Sequence, residues 1–98
     1  MKIVAVTACP TGIAHTYMAA EQLEKTAKKL GHTIKVETQG AMGIENELSQ
    51  ADIDAADAVI VAADIALERP ERFARLKTIE VPVQAALRNP DAIFAKLA

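Results

Sequence analysis

What this 98-residue chain lacks narrows it first. It holds a single cysteine, which excludes an internal disulfide. One cysteine with two distant histidines makes a poor metal set, so no metal and no cofactor are expected. Aromatic residues make up 3% of the chain and tryptophan is missing, while hydrophobic residues reach 51%. Ala, Val, Ile and Leu must therefore fill the core, which suits a small sheet covered by helices better than an aromatic-rich barrel. A net charge of -2 without any basic run excludes the electrostatic footprint of a nucleic-acid or anionic-lipid binder. No apolar stretch approaches the ~18 residues of a membrane span, so no direct membrane insertion is expected. The chain enters an apolar run at Ile3 without the long hydrophobic region of a signal peptide, and the expectation is a cytoplasmic, reduced protein. Repeats, linkers and low-complexity tracts are missing too, which predicts one domain over residues 1–98.

What is present is an alternation of strand and helix patterns. Lys2 to Thr7 is β-branched and almost continuously apolar, as in a parallel strand covered on both faces. From Thr16 to Leu30, the residues Ala19 or Ala20, Leu23, Ala27 and Leu30 recur at helical spacing, predicting a helix with one buried stripe that Gly31 stops. Thr33 to Thr38 alternates polar and apolar, predicting an outer strand with one wet face, and Gln39 to Glu47 is predicted as a glycine-punctuated loop. Ser49 and Asp52 form a capping box for a short helix through Ala55. Ala58 to Ala63 predicts a central strand, Glu68 to Leu76 a short helix with Pro70 in its first turn, and Thr78 to Val81 a fourth strand. Residues 83 to 88 are ambiguous. Asn89-Pro90-Asp91 predicts the capped start of a last helix, ending near Leu97.

The order predicts an α/β fold: a three-layer α/β/α arrangement on a four-stranded parallel sheet, with right-handed crossovers and flavodoxin-like strand order 2-1-3-4. Ligands in such sheets bind beyond the carboxyl ends of the strands, at the switch point between the first and third. The first strand leads there into Cys9-Pro10-Thr11-Gly12-Ile13-Ala14-His15-Thr16. A strand, a compact loop and a helix start gather backbone N–H groups and the positive end of the helix dipole, which suits a phosphate. Cys9 at the head of that loop is a candidate nucleophile in its thiolate form. A lone cysteine is more often a small buried hydrophobe. The hydroxyls of Thr7, Thr11 and Thr16, the tight turn allowed by Gly12 and the stiffening by Pro10 are not needed for that role.

The spacing resembles the phosphate loop of low-molecular-weight tyrosine phosphatases, in which a cysteine, five residues, an arginine and a serine or threonine follow one another. Cys9 and Thr16 match, but His15 occupies the arginine position, and no Asp-Pro pair supplies a general acid. Without the bidentate clamp that arginine gives a phosphoryl group, a phosphorylated cysteine should persist until an acceptor docks. Residues Thr7 to Glu21 more specifically resemble the phosphorylation site of fructose-family enzyme IIB components of the bacterial phosphoenolpyruvate-dependent sugar phosphotransferase system. Val36 to Gly40 and Ala56 to Ile65 resemble that family as well, and the likeness covers roughly residues 2 to 75.

The resemblance implies that Cys9 accepts a phosphoryl group from a phosphohistidine on a IIA component and passes it to a sugar, fructose or a related one, bound by the membrane-embedded IIC component. It implies a cytoplasmic protein brought to the inner face of the membrane by IIC. Pro10, Thr11, Gly12, Ile13, Ala14, His15 and Thr16 would surround the phosphate, chiefly through backbone N–H groups and the threonine hydroxyls. The competing readings are a low-molecular-weight-phosphatase-like cysteine hydrolase or thiol reductase on the same fold, and a non-enzymatic anion-binding module.

For the remaining residues the plainer role is the expectation. Asp64, at the end of the third predicted strand, is expected to bond nearby loop N–H groups rather than a phosphate, and His32 to be a solvated loop residue. Arg69, Arg72 and Arg75 are expected to form a solvated cationic helix face. Ile13, Tyr17, Met18 and Met42 are candidates for an apolar docking rim around Cys9. His15 is balanced between touching the phosphoryl group and packing at the helix start.

Overall fold

A computed structural model describes residues 1–9, 13–40 and 43–97, the side chains of residues 13 and 14 excepted. The apolar N-terminal run becomes β1 (Lys2–Ala8), the middle strand of the sheet. On one side it pairs in parallel with β2 (Thr33–Gly40), and on the other with β4 (Ala58–Ala63), which pairs in parallel with β5 (Lys77–Val81). These four strands keep the predicted 2-1-3-4 order. A short antiparallel strand, β3 (Gly43–Glu45), is added beside β2, so the full order is β3-β2-β1-β4-β5.

Side chains alternate across β1 and β4 and feed two cores. Ile3, Ala5 and Ile60 face one way, onto Ala19, Leu23 and Ala27 of α1 (Ile13–Lys29), Val83 and Ala86 of α3 (Val83–Arg88), and Ile93 and Phe94 of α4 (Pro90–Ala95). Val4, Val6, Val59 and Val61 face the other way, onto Leu48, Ile53 of α2 (Gln50–Ala55) and Phe73 of a 3₁₀ turn (Pro70–Phe73). Covered on both faces, β1 and β4 can be apolar throughout, and the three-layer α/β/α expectation holds.

Local signals hold where they are chemically complete. Ser49 Oγ accepts from the Asp52 N–H at 3.1 Å while Asp52 Oδ2 accepts from the Ser49 N–H at 3.0 Å, closing the capping box of α2. After α1, Gly31 adopts φ 81°, and the N–H groups of Gly31 and His32 bond back to the carbonyls of Lys28 and Ala27. Glycine takes that left-handed conformation without a Cβ clash, and the paired bonds end the helix. The ambiguous residues 83 to 88 are helical.

Several boundaries differ from expectation. Helix α1 begins at Ile13, three residues before Thr16, and Leu30 lies beyond its end, 47% exposed instead of buried. Strand β2 runs on to Gly40, and its wet face is confined to Thr33 and Lys35, because Val36, Glu37, Thr38 and Gln39 are all buried. The predicted loop after it turns back as β3, with Gly40 opposite Gly43 and Gly43 at φ 87°. Asn89 stands before α4 without a side-chain cap bond, and that helix ends at Ala95.

Candidate functional site

Cys9 follows β1 directly, at the carboxyl edge of the parallel strands, and is buried with 6% exposure. It lines a cavity of ≈ 240 Å³ with Gln39, Gly40 and Gly43 on one side and Ile65, Ala66 and Glu68 on the other. The walls come from the end of β2, the start of β3 and the segment after β4, so the cavity lies at the expected switch point. Helix α1 starts at Ile13, four positions past Cys9 in the sequence, which brings the positive end of a 17-residue helix to the same edge.

The predicted phosphate loop is only partly within the described residues. Pro10, Thr11 and Gly12 lie outside them. Ile13 and Ala14 form the first turn of α1, but their side chains are outside the description, as is all of Met42. His15 is exposed and Thr16 is buried. A Cβ added to Gly40 would stand 3.9 Å from Thr16 Oγ1, so the end of β2 lies close to the first turn of α1. The Thr7 hydroxyl, expected to serve the loop, instead donates to the Thr16 carbonyl at 3.1 Å in the buried core, fastening β1 to α1.

Asp64 takes the plainer role. Its Oδ1 accepts from the Val83 N–H at 3.1 Å, supplying the cap that Pro82 cannot, and its own N–H donates to Ala8 O at 3.0 Å. Tyr17 and Met18 are exposed on α1, and Ile65 is exposed on the cavity wall. The Tyr17 hydroxyl also donates to the Glu45 carboxylate of β3.

The expected cationic face does not form. Arg69 pairs with Glu47 and Arg75 with Asp54, while Arg72 turns inward to Glu37. His32 is not simply solvated, because its ring stacks on Phe94 with centroids 5.9 Å apart and its Nδ1 meets the N-terminus at 3.3 Å.

A polar network lies beside the cavity, at strand positions that the sequence pattern assigns to a wet face. Glu37 is fully buried, with Oε1 accepting from Arg72 Nη1 at 2.8 Å and from the Leu48 N–H at 2.9 Å. Its Oε2 accepts from Arg72 Nη2 at 2.9 Å and from Gln39 Nε2 at 2.7 Å. Burial is the largest single influence on Glu37 and pushes its pKa up. The bonds from Arg72, Gln39 and Leu48, with the Arg72 charge, outweigh burial and hold the carboxyl below its ordinary 4.5. The bond to Glu37 in turn raises the Arg72 pKa, against burial. Gln39 reaches on to the cavity wall, accepting from the Glu68 N–H at 2.8 Å and donating to the Glu68 carbonyl at 3.2 Å. In the sequence, Glu37 and Gln39 look like the wet positions of an alternating strand, and only the packing of residues 68 to 72 over that face buries them.

Among the described residues no cluster of His, Cys, Asp and Glu could hold a metal ion, and no helix is long and apolar enough to cross a membrane.

The family model for the lactose/cellobiose-specific IIB subunit of the PTS system matches residues 4–96. The chain is 52% identical to the PTS system fructose-like EIIB component 2 of Escherichia coli (strain K12), over 98% of this chain and 91% of that one. It is 53% identical to the PTS system fructose-specific EIIABC component of Bacillus subtilis (strain 168), over 97% of this chain but 15% of that longer protein. Among solved structures it superposes on a domain of the fructose-specific IIABC component of Borrelia burgdorferi with TM-score 0.91 and 46% identity, covering 96% of this chain and 89% of that one. An arsenate reductase in its phosphate-binding state shares the fold alone, with TM-score 0.56 and 12% identity over the full length of both chains.

Proposed function

This chain belongs to the enzyme IIB family of the sugar phosphotransferase system (PTS), among its fructose-like members, and on that premise we propose that Cys9 is its phosphoryl carrier. The observation that carries this reading is the location of the chain's only cysteine, which lines a cavity at the carboxyl edge of the parallel strands where α1 begins. In the first step the Cys9 thiolate attacks the phosphorus of a phosphohistidine on a IIA component. The S–P bond forms as the N–P bond breaks, and the imidazole leaves. In the second step a sugar hydroxyl attacks the same phosphorus, the S–P bond breaks, the thiolate is regenerated and the hydroxyl proton goes to solvent or a base at the sugar site. Forming a covalent intermediate divides one transfer between two proteins into two steps.

The phosphoryl oxygens need fixed donors as charge moves across them. We assign these to the backbone of Pro10 to Thr16, where Thr11, Gly12, Ile13, Ala14, His15 and Thr16 each carry an N–H and Pro10 shapes the exit from Cys9. The names of fused relatives, such as the EIIABC component of Bacillus subtilis, support IIA and membrane-embedded IIC partners for residues 1–98, acting as a single IIB domain in the cytoplasm at the face of IIC.

The test is to incubate the chain with a phosphorylated fructose-family IIA protein and read its intact mass, with Cys9→Ser alongside. One phosphoryl group on the wild type and none on the variant is the expected result. No uptake, together with hydrolysis of an aryl phosphate, would overturn the reading in favour of a cysteine hydrolase.

A further inference from the structure

The wall of the Cys9 cavity formed by Ile65, Ala66 and Glu68 belongs to an irregular segment after β4, yet it is tied down from behind. The Gln39 side chain makes two bonds to the Glu68 backbone, one to the N–H and one to the carbonyl. Arg72 adds a third and a fourth tie, from Nη2 to the Glu68 carbonyl at 3.3 Å and from Nε to the Arg69 carbonyl at 2.9 Å. Both gripping groups are themselves held by the Glu37 carboxylate, which lies on the middle of β2 and has no exposure to solvent. Arg69, at φ 52°, occupies the left-handed region that a side chain seldom adopts, and its carbonyl is one of those held by Arg72.

We propose that Gln39 is a positioning residue for phosphoryl transfer: anchored on the Glu37–Arg72 pair, it sets the distance between the 65–68 wall and Cys9. The inference rests on Cys9 being the carrier. It adds a function for three residues that the chemistry at sulfur does not itself require. Among the described residues on the strand side, Gln39 both lines the cavity and bonds the backbone of the wall. Losing that clasp lets the wall swing away from a cysteine that is now 6% exposed. Access to the thiol then rises while the fixed geometry needed for transfer is lost, so the two effects have opposite signs.

The experiment compares wild type with Gln39→Met, which keeps the length of the side chain and removes its two bonds to Glu68 together with its bond to Glu37. Two rates are read at a temperature where circular dichroism shows both proteins folded: alkylation of Cys9 by iodoacetamide, and phosphoryl acceptance from phosphorylated IIA as a function of its concentration. Alkylation is expected to quicken and acceptance at saturation to slow, each by about ten-fold, the order of the net loss expected from the two bonds to Glu68. The half-saturating IIA concentration is expected to stay unchanged. A general loss of stability would lower the amplitude of acceptance without that split.

Arg72→Lys, which keeps the charge opposite Glu37 but loses the fork that reaches the Glu68 and Arg69 carbonyls, should shift both rates in the same directions. It decides the matter if Gln39→Met does not fold. Alkylation and saturating acceptance indistinguishable from wild type would overturn the proposal. A wild type that takes up no phosphoryl group would overturn the carrier reading instead, and the alkylation comparison would still judge the wall.

Discussion

Glu37 and Arg72, 35 residues apart in the chain, meet as a two-pronged pair, with both guanidinium Nη atoms within 2.9 Å of the two carboxylate oxygens of a side chain that water does not reach. Arg72 also lies over the Phe73 ring, 4.8 Å from its centroid, so the pair joins β2 to the apolar core beneath the 3₁₀ turn. A buried ion pair adds little net stability over an apolar replacement, but leaving one half of it alone is costly.

Arg72→Met is therefore expected to cost about 3–5 kcal/mol in urea unfolding, because Glu37 is left buried with its charge unmatched. The double replacement Glu37→Met with Arg72→Met should recover much of that loss. A double variant as unstable as the sum of its single changes would show that the pair does not act as a unit.

Acid should destabilise the fold in a definite window. Glu37 is held below 4.5 in the folded protein, and Asp52, drawn from 3.8 to about 2 chiefly by its bond to Lys35 and then by those to Ser49, behaves alike. Below pH 4.5 the unfolded chain takes up protons that the folded carboxylates refuse, so stability is full above that pH and falls as the pH drops through the folded values. Urea midpoints measured from pH 6 to pH 3 should decline, and the slope should be shallower in Glu37→Gln. Equal slopes in the two proteins would remove Glu37 as a source.

Asp64→Ala removes the oxygen that caps α3 from the end of β4. The expected cost is about 1 kcal/mol in unfolding free energy. Phosphoryl acceptance from IIA should be unaffected, since this carboxylate serves the helix. A large loss of acceptance with intact stability would instead place Asp64 in the transfer chemistry.

Thr7→Val keeps the shape of a fully buried side chain but deletes its bond to the Thr16 carbonyl. A loss of about 1 kcal/mol is expected. Hydrogen exchange should show faster opening in the first turn of α1, which that bond fastens to β1. Unchanged exchange there would show that the turn is held by other contacts.

Much of the fold was legible because its signals are local or periodic. The continuous apolar runs of β1 and β4 fit only strands covered on both faces, and their order with the intervening helices gave the parallel 2-1-3-4 core. The capping box at Ser49 and the glycine after α1 each contain all the atoms their bonds need within a few residues. The candidate site was legible at Cys9, since a cysteine between an apolar strand and a helix must fall at the carboxyl edge of such a sheet.

What the chain does with its buried polar groups was not legible, for a physical reason. Alternation along β2 gives the face of Glu37 and Gln39 but not what covers that face, and a carboxylate without a partner belongs in water. A partner 35 residues away changes that balance, and nothing within hydrogen-bonding range along the strand announces it. Likewise Arg69, Arg72 and Arg75 follow a helical spacing that suggests one cationic face, yet each finds its own carboxylate in a different segment of the chain. By itself, the sequence determined the four parallel strands, the main helix between the first two of them, and the edge at which Cys9 stands. Tertiary structure alone decided that Glu37 would be buried, that Arg72 would turn inward to it, and that Gln39 would clasp the wall facing the cysteine, because burial free energy depends on contacts between segments that no local pattern encodes.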